Sequence, residues 1–328
     1  MHVAIFGAGA IGCWVGGRLA AAGTRVTLIG RSRVLDELAG GLRVVELDDR
    51  VIESRPELAT EPAPARDADF VLVTVKSGAT AEAARALADV RGLVISVQNG
   101  VRNPSVLRET LPAERVLAGM IEFNVVKSAP GTYRRTTSGR LMIERAVAAE
   151  PLADASNAAG LPCELRADIV AVQWAKLVLN LNNAINALSN VPLVDELANR
   201  DFRRCFAAAQ REAIAVLAAA GQPIAKLSPL PPTWLPKILG APDWLFHAIA
   251  KRFVAVDPRA RSSMWDDFEA KRPTEIDYLQ GEIVALAARV GRAAPVNAAL
   301  VGLVRAAEAG GRRDYRGHEL YELLRSNA

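Results

Sequence analysis

The run "HVAIFGAGAIG" at residues 2–12 restricts this chain more than any other stretch. "HVAIF" is a short apolar run suited to a strand, and "GAGAIG" follows it without a break. "CWVGGRLAAAG" then reads as a helix closing on Gly23, and "TRVTLIG" as the next strand. The unit is strand, turn, helix, strand, with Gly7, Gly9 and Gly12 at the GxGxxG places. Gly7 allows a tight turn, Gly9 lets a pyrophosphate approach the backbone, and Gly12 permits close packing of helix on strand. The N–H groups of Ala10 and Ile11 open the helix at the positive end of its dipole, which suits phosphate. A chain that begins this way should build a doubly wound parallel sheet and hold a dinucleotide at its first turn.

The end of the second strand selects the cofactor. A site for NAD carries Asp or Glu there to take the ribose 2′-hydroxyl. Here Gly30 is followed by Arg31, Ser32 and Arg33, so no carboxylate repels a 2′-phosphate and two guanidiniums are at hand. NADP(H) is the expected cofactor, with Arg33 alternatively a solvated surface residue. Two later apolar runs, "DADFVLVTVK" and "GLVISVQNG", read as buried parallel strands closing on Lys76 and on Gln98-Asn99-Gly100. Ligands lie beyond the carboxyl ends of such strands, so Lys76 and Asn99 should overlook the cofactor. Residues 115–147 read as further strands that extend the sheet, and 151–167 as a helix with a short strand. The junction falls near Arg166, giving a dinucleotide domain at 1–166 and a helical domain at 167–328.

Helical periodicity dominates the second half, over 168–190, 199–220, 233–254, 274–291 and 295–309. The stretch "GQPIAKLSPLPPTWLPKILGAPDW" interrupts it and is too rich in proline for one straight helix. The first of these helices is apolar yet carries Lys176 and five asparagines, which are poor helix formers. At roughly 100° per residue, Asn180 lies about 40° from Lys176 and Asn183 about 20° on the other side. These three make one polar stripe able to face a ligand, whereas Asn182 and Asn186 fall on another face. The stripe could equally cap neighbours or reach water. Downstream, Pro273 fits the first turn of a helix, so Glu275 is either a dipole partner there or a functional carboxylate.

Composition narrows the classes. The net charge of +4 has no basic block, which argues against nucleic acid. No apolar stretch approaches a membrane span, and no signal region precedes the first strand. The three cysteines are far apart and the three histidines lack metal-ligand spacing, so reduced thiols, no metal site and a cytoplasmic location are expected. The oligomeric state is left open, a homodimer among the options.

Taken together, "IFGAGAIG", Arg31, "VTVK", "QNG", "WAKLVLN" and "SSM…TEIDYLQG" resemble the ketopantoate reductase family, in family order over about residues 3–300. The resemblance implies a Rossmann-type doubly wound sheet followed by an all-α domain, with the site in the cleft between them. It implies NADPH-dependent reduction of a small 2-oxo acid, 2-dehydropantoate, to pantoate, toward pantothenate and coenzyme A. It implies that Lys176 donates the proton, that Asn180, Ser263 and Glu275 contact substrate, and that Lys76 and Asn99 lie at the cofactor and substrate end. The chain departs from the family pattern in having Ala184 where a second Asn is frequent, with Asn183 one place short. It also has Gln98 where a His often precedes the Asn. Another 2-oxo acid or an opine-type substrate on the same scaffold, and a non-catalytic NADP(H)-binding sensor, are the alternatives.

Overall fold

Alternating and continuous apolar runs, punctuated by Gly, Asp and Pro, become twelve strands among the residues described by the computed structural model, 1–227, 230–250 and 260–327. In chain order they are β1 (His2–Phe6), β2 (Arg25–Ile29), β3 (Leu42–Val45), β4 (Val51–Ser54), β5 (Glu57–Ala59) and β6 (Phe70–Val73). The series continues with β7 (Leu93–Ser96), β8 (Val116–Ile121), β9 (Val125–Ala129), β10 (Thr132–Arg135), β11 (Leu141–Glu144) and β12 (Cys163–Arg166). Contacts divide the chain into two units, Met1–Gln173 and Trp174–Ala328, and all strands belong to the first.

The larger sheet has the order β12-β11-β8-β7-β6-β1-β2-β5. β1 pairs in parallel with β2 on one side and with β6 on the other. The chain therefore leaves β1 in one direction and returns on its opposite flank, the switch point at which carboxyl ends open a crevice. Only β11 runs antiparallel to its neighbour β8 within this sheet, while β12 pairs with β11 in parallel. The expectation that all strands of 115–147 extend this sheet is corrected. β8 and β11 do so, but β9 and β10 join β3 and β4 in a second sheet of order β4-β3-β10-β9.

The helix Ala10–Ala21 lies against both sheets, which explains its apolar sequence on every side. A Cβ on Gly16 would come within 2.7 Å of Leu28 in the large sheet, and one on Gly17 within 2.7 Å of Val44 in the small one. The adjacent glycines let a backbone approach two layers at once. Arg18, the one charge in the helix, is buried beside Glu46 at 2.6 Å.

The second unit is helical. The expected helix 168–190 is two, Ile169–Asn180 and Asn182–Ser189, meeting at Leu181. Side-chain amides of neighbouring helices compete for the carbonyls at this break. Gln210 Nε2 donates to Val178 O at 3.2 Å and Gln280 Nε2 to Leu181 O at 2.8 Å, both glutamines being wholly buried. The expected helices 199–220 and 295–309 are present as Arg200–Ala219 and Pro295–Glu308. In place of a helix over 233–254 there is a 3-10 turn, Pro232–Trp234, then Leu235–Leu239 and Asp243–Ala250; positions 251–254 lie outside the described residues. Pro236 and Pro242 cannot sit in a helix interior, so each opens a new short one. Wholly buried Arg203 anchors this region, donating to Leu239 O at 3.2 Å and to the Asp243 carboxylate at 2.6 Å. In the expected helix 274–291 only Gln280–Arg289 is α-helical, preceded by a 3-10 turn at Ile276–Tyr278. Pro273 and Glu275 thus stand before the helix. Among the described residues no helix is long and apolar enough to cross a membrane.

Candidate active site

In the first unit the glycine turn is set by contacts. Gly7 has φ +121°, and a Cβ there would meet Val75 N at 2.7 Å. A Cβ on Gly12 would lie 2.2 Å from Gly7 O. Around Gly9 nothing stands within 4 Å, so this is the position that a ligand can approach. Thr74, which the motif did not point to, donates its hydroxyl to Gly7 O at 2.6 Å and ties the turn to the end of β6. The helix opening at Ala10 and Ile11 has neither a side-chain cap nor an acidic residue in its first turn. Its leading N–H groups have no intrahelical acceptor and are aimed where an anion would sit. At the end of β2, Gly30 is required because its Cβ would fall 2.6 Å from that of Ala8. Arg31 and Arg33 follow it, both exposed. The residues present therefore fit a dinucleotide.

Lys76 is exposed just past β6, and Asn99 is half-buried just past β7. A buried polar network joins the loops that carry them. Asn103 Nδ2 donates to Asn99 O at 2.7 Å and to Ser77 Oγ at 3.2 Å, and its Oδ1 accepts from Thr80 at 2.8 Å. Gln98 belongs to this network, donating to Val75 O at 3.0 Å and to Thr80 Oγ1 at 2.7 Å. The departure at Gln98 is thus a buried support of the loop. Ser77, Thr80 and Asn103 were missed from sequence because single polar residues at strand ends carry no distinguishing pattern.

In the helical unit, Lys176 and Asn180 are half-buried on the Ile169–Asn180 helix. Asn183, past the break, donates to Ser263 Oγ at 3.4 Å, bringing together two of the expected site residues. Ser263 begins the Ser263–Glu269 helix, which is capped by Ser262, whose hydroxyl accepts from Trp265 N at 3.2 Å. Glu275 is buried, 7% exposed.

The remaining asparagines are structural. Asn190 ends its helix in the left-handed region at φ 55° and accepts from Trp265 Nε1 at 2.7 Å. Asn186 is wholly buried and donates to the Glu196 carboxylate at 2.7 Å, and Asn182 bonds the same carboxyl. Burial pushes Glu196 up to about 7, the two amides acting in the opposite direction. A folded value above the ordinary 4.5 means that folding favours the proton. The stability it contributes is complete below about pH 4.5 and lost as pH rises through about 7. Relative to Glu196→Gln, the wild type should lose roughly 3 kcal/mol across that window in denaturant titrations. Parallel stability curves would assign no such role to Glu196.

The cysteines are raised by burial, Cys13 to about 11 and Cys163 to about 12, so neither supplies a thiolate near neutrality. The features left for chemistry are a glycine turn that fits a dinucleotide, at the switch point of a parallel sheet, and a helix that carries Lys176 and Asn180 in an all-α unit. These define a nicotinamide-dinucleotide-dependent oxidoreductase with a Rossmann-type sheet. The family model "Ketopantoate reductase PanE/ApbA" matches residues 3–147, and its C-terminal counterpart matches 168–308. The 2-dehydropantoate 2-reductase of Halobacterium salinarum is 32% identical, the match covering 95% of this chain and 100% of that protein. A PanE/ApbA family ketopantoate reductase from Ralstonia eutropha superposes with TM-score 0.81 at 31% identity, covering 94% of this chain and 99% of that one. A D-mandelate dehydrogenase solved with NADH shares the fold, with TM-score 0.80 at 20% identity over 94% of this chain and 99% of that one. This chain belongs to the ketopantoate reductase family, whose members are NAD(P)-dependent oxidoreductases.

Proposed function

We propose that the chain catalyses the NADPH-dependent reduction of 2-dehydropantoate to (R)-pantoate, a step toward pantothenate and coenzyme A. The observation that carries this reading is the Asn183–Ser263 pair, which joins two distant segments into one polar surface just beyond the helix of Lys176 and Asn180. The Gly7–Gly12 turn would hold the dinucleotide, whose nicotinamide would supply a hydride to the 2-oxo carbon, leaving the carbonyl oxygen as an alkoxide. Lys176 Nζ donates the proton that the alkoxide oxygen requires, and its charge stabilises the negative charge as it develops. Asn180 and Asn183, with the Ser263 hydroxyl, hold the carboxylate and carbonyl through neutral hydrogen bonds. Glu275 accepts from the substrate hydroxyl and helps to keep Lys176 protonated. Lys76 and Asn99 serve the cofactor and substrate end, on loops latched together by Asn103.

The test is oxidation of NADPH by purified protein with 2-dehydropantoate beside a panel of branched 2-oxo acids. Preferred turnover of 2-dehydropantoate supports the proposal. Equal or better turnover of another acid would replace the substrate, and tight NADPH binding without turnover of any would reject the reaction. For the cofactor, Arg31 is the residue proposed to take the 2′-phosphate. Arg31→Ala should weaken NADPH about 10- to 100-fold, the worth of a charge-assisted contact, and NADH far less. Equal weakening of both in fluorescence titrations would remove Arg31 from that role.

A further inference from the structure

The Asn183–Ser263 pair raises the question of what holds Ser263 in place, since its helix, Ser263–Glu269, is short. The answer lies one layer below, at Asn186. Its Nδ2 donates both to Val191 O at 3.0 Å and to Glu196 Oε2 at 2.7 Å. Its Oδ1 accepts the backbone N–H of Ser262 at 2.8 Å. Ser262 Oγ in turn donates to Asn183 O at 3.2 Å. One buried amide therefore sets the register of residues 262–263 against the Asn182–Ser189 helix. Leu193 N, bonded to Ala260 O at 2.9 Å, clamps the same segment from the side of Glu196.

We infer that Asn186 and Glu196 are positioning residues for substrate recognition, holding the Ser262–Ser263 turn so that the Ser263 hydroxyl meets Asn183. This rests on the reading of Asn183 and Ser263 as substrate contacts. Neither positioning residue needs to touch substrate, because Asn186 is wholly buried and Glu196 is 1% exposed. The carboxyl also works in both of its charge states. Ionised, it accepts from both amides. Protonated, it still accepts from Asn186 on one oxygen, and Asn182, whose Oδ1 is buried without another partner, can turn its amide to accept the proton. The groups that face Glu196 are these two amides and the Cys205 thiol, with Asp201 and Arg204 near that thiol on the same helix. A glutamine reproduces the protonated form and should keep the junction, whereas leucine offers Asn186 no acceptor.

The experiment compares Asn186→Leu, Glu196→Leu and Glu196→Gln in the full-length enzyme. Both leucine variants should raise KM for 2-dehydropantoate about 10-fold, the cost of one orphaned buried partner, with kcat and NADPH affinity nearly unchanged. Glu196→Gln should keep the wild-type KM. A merely structural role would lower the active fraction, and hence apparent kcat, without this split. An unchanged KM in folded Asn186→Leu, or a Glu196→Gln that behaves like Glu196→Leu, would overturn the inference. If Asn186→Leu does not fold, the Glu196 pair decides. Hydrogen exchange at the Ser262 amide reads the junction independently of turnover. It should quicken about 10-fold in Glu196→Leu and not in Glu196→Gln, even if the true substrate is another acid. Unchanged exchange in Glu196→Leu would show that the turn is held without the carboxyl.

Discussion

Replacing Lys176 with alanine should lower kcat by about 100- to 10,000-fold, the usual worth of a positioned general acid, while NADPH affinity stays nearly intact. The asymmetry follows from where the residue stands. Lys176 lies on the helix Ile169–Asn180, whereas the glycine turn lies between β1 and the Ala10–Ala21 helix, and Arg31 follows β2. The proton must reach an oxygen that becomes charged only as hydride arrives, so the lost interaction is one made in the transition state. Such a loss falls on kcat and on kcat/KM together, whereas loss of a contact made equally in the ground and transition states would raise KM alone. Steady-state oxidation of NADPH and a separate fluorescence titration distinguish the two. An unchanged kcat would take Lys176 out of the acid role.

The second large effect is expected at the glycine turn, where two neighbouring positions should respond in opposite ways. In Gly12→Ala the new methyl would lie 2.2 Å from Gly7 O, 2.6 Å from Thr74 Oγ1 and 2.9 Å from Ile5 Cγ2. The first is a backbone atom inside the turn, so the helix must back away from β1. A displacement on the order of 1 Å at such a site costs about 100-fold in function, and the packing lost with it should lower the melting temperature as well. Gly9→Ala is the contrast. Gly9 has φ −82° and ψ −172°, which any residue adopts, and its Cβ would meet nothing within 4 Å. The Gly9 variant should melt like the wild type and still bind NADPH poorly, because the methyl occupies the path of the pyrophosphate. Wild-type affinity in Gly9→Ala would place the cofactor elsewhere. A Gly12→Ala protein that bound NADPH normally would show that the turn can relax.

Several features of the site were legible because they are local. The order of strand, glycine turn and helix lies within one short segment, and the identity of the residues after β2 is read off directly. The stripe of Lys176 and Asn180 follows from helical period alone, and both are half-buried on one helix. The separation of Asn182, Asn186 and Asn190 from that stripe was also visible, although their partners were not. Other features were misread for a common reason. β9 and β10 are strands like β8 and β11, and strand-forming composition does not state which sheet a strand will join. At the break at Leu181, Gln210 and Gln280, 32 and 99 residues downstream of the carbonyls they bond, take helix carbonyls, so periodicity ran straight through it. Glu275 looked like a helix-start residue after Pro273, but the helix waits until Gln280.

What the sequence determined by itself, then, is the chemistry available: a glycine turn that fits phosphate, guanidiniums beside it, and a lysine with amides on one helical face. Those signals survive in a single chain because backbone period and glycine sterics act over a few residues. The tertiary structure decided which polar groups meet. It brought Asn183 to Ser263 across 80 residues and set Gln98 beneath the loop of Asn99. It also seated Asn186 between Glu196 and the Ser262 amide. Hydrogen-bond partners at such distances are selected by burial, since an unpaired polar group inside the fold costs more than the pairing gains. Local pattern shows that a residue is polar and which way it faces, and only the packed chain supplies the group that satisfies it.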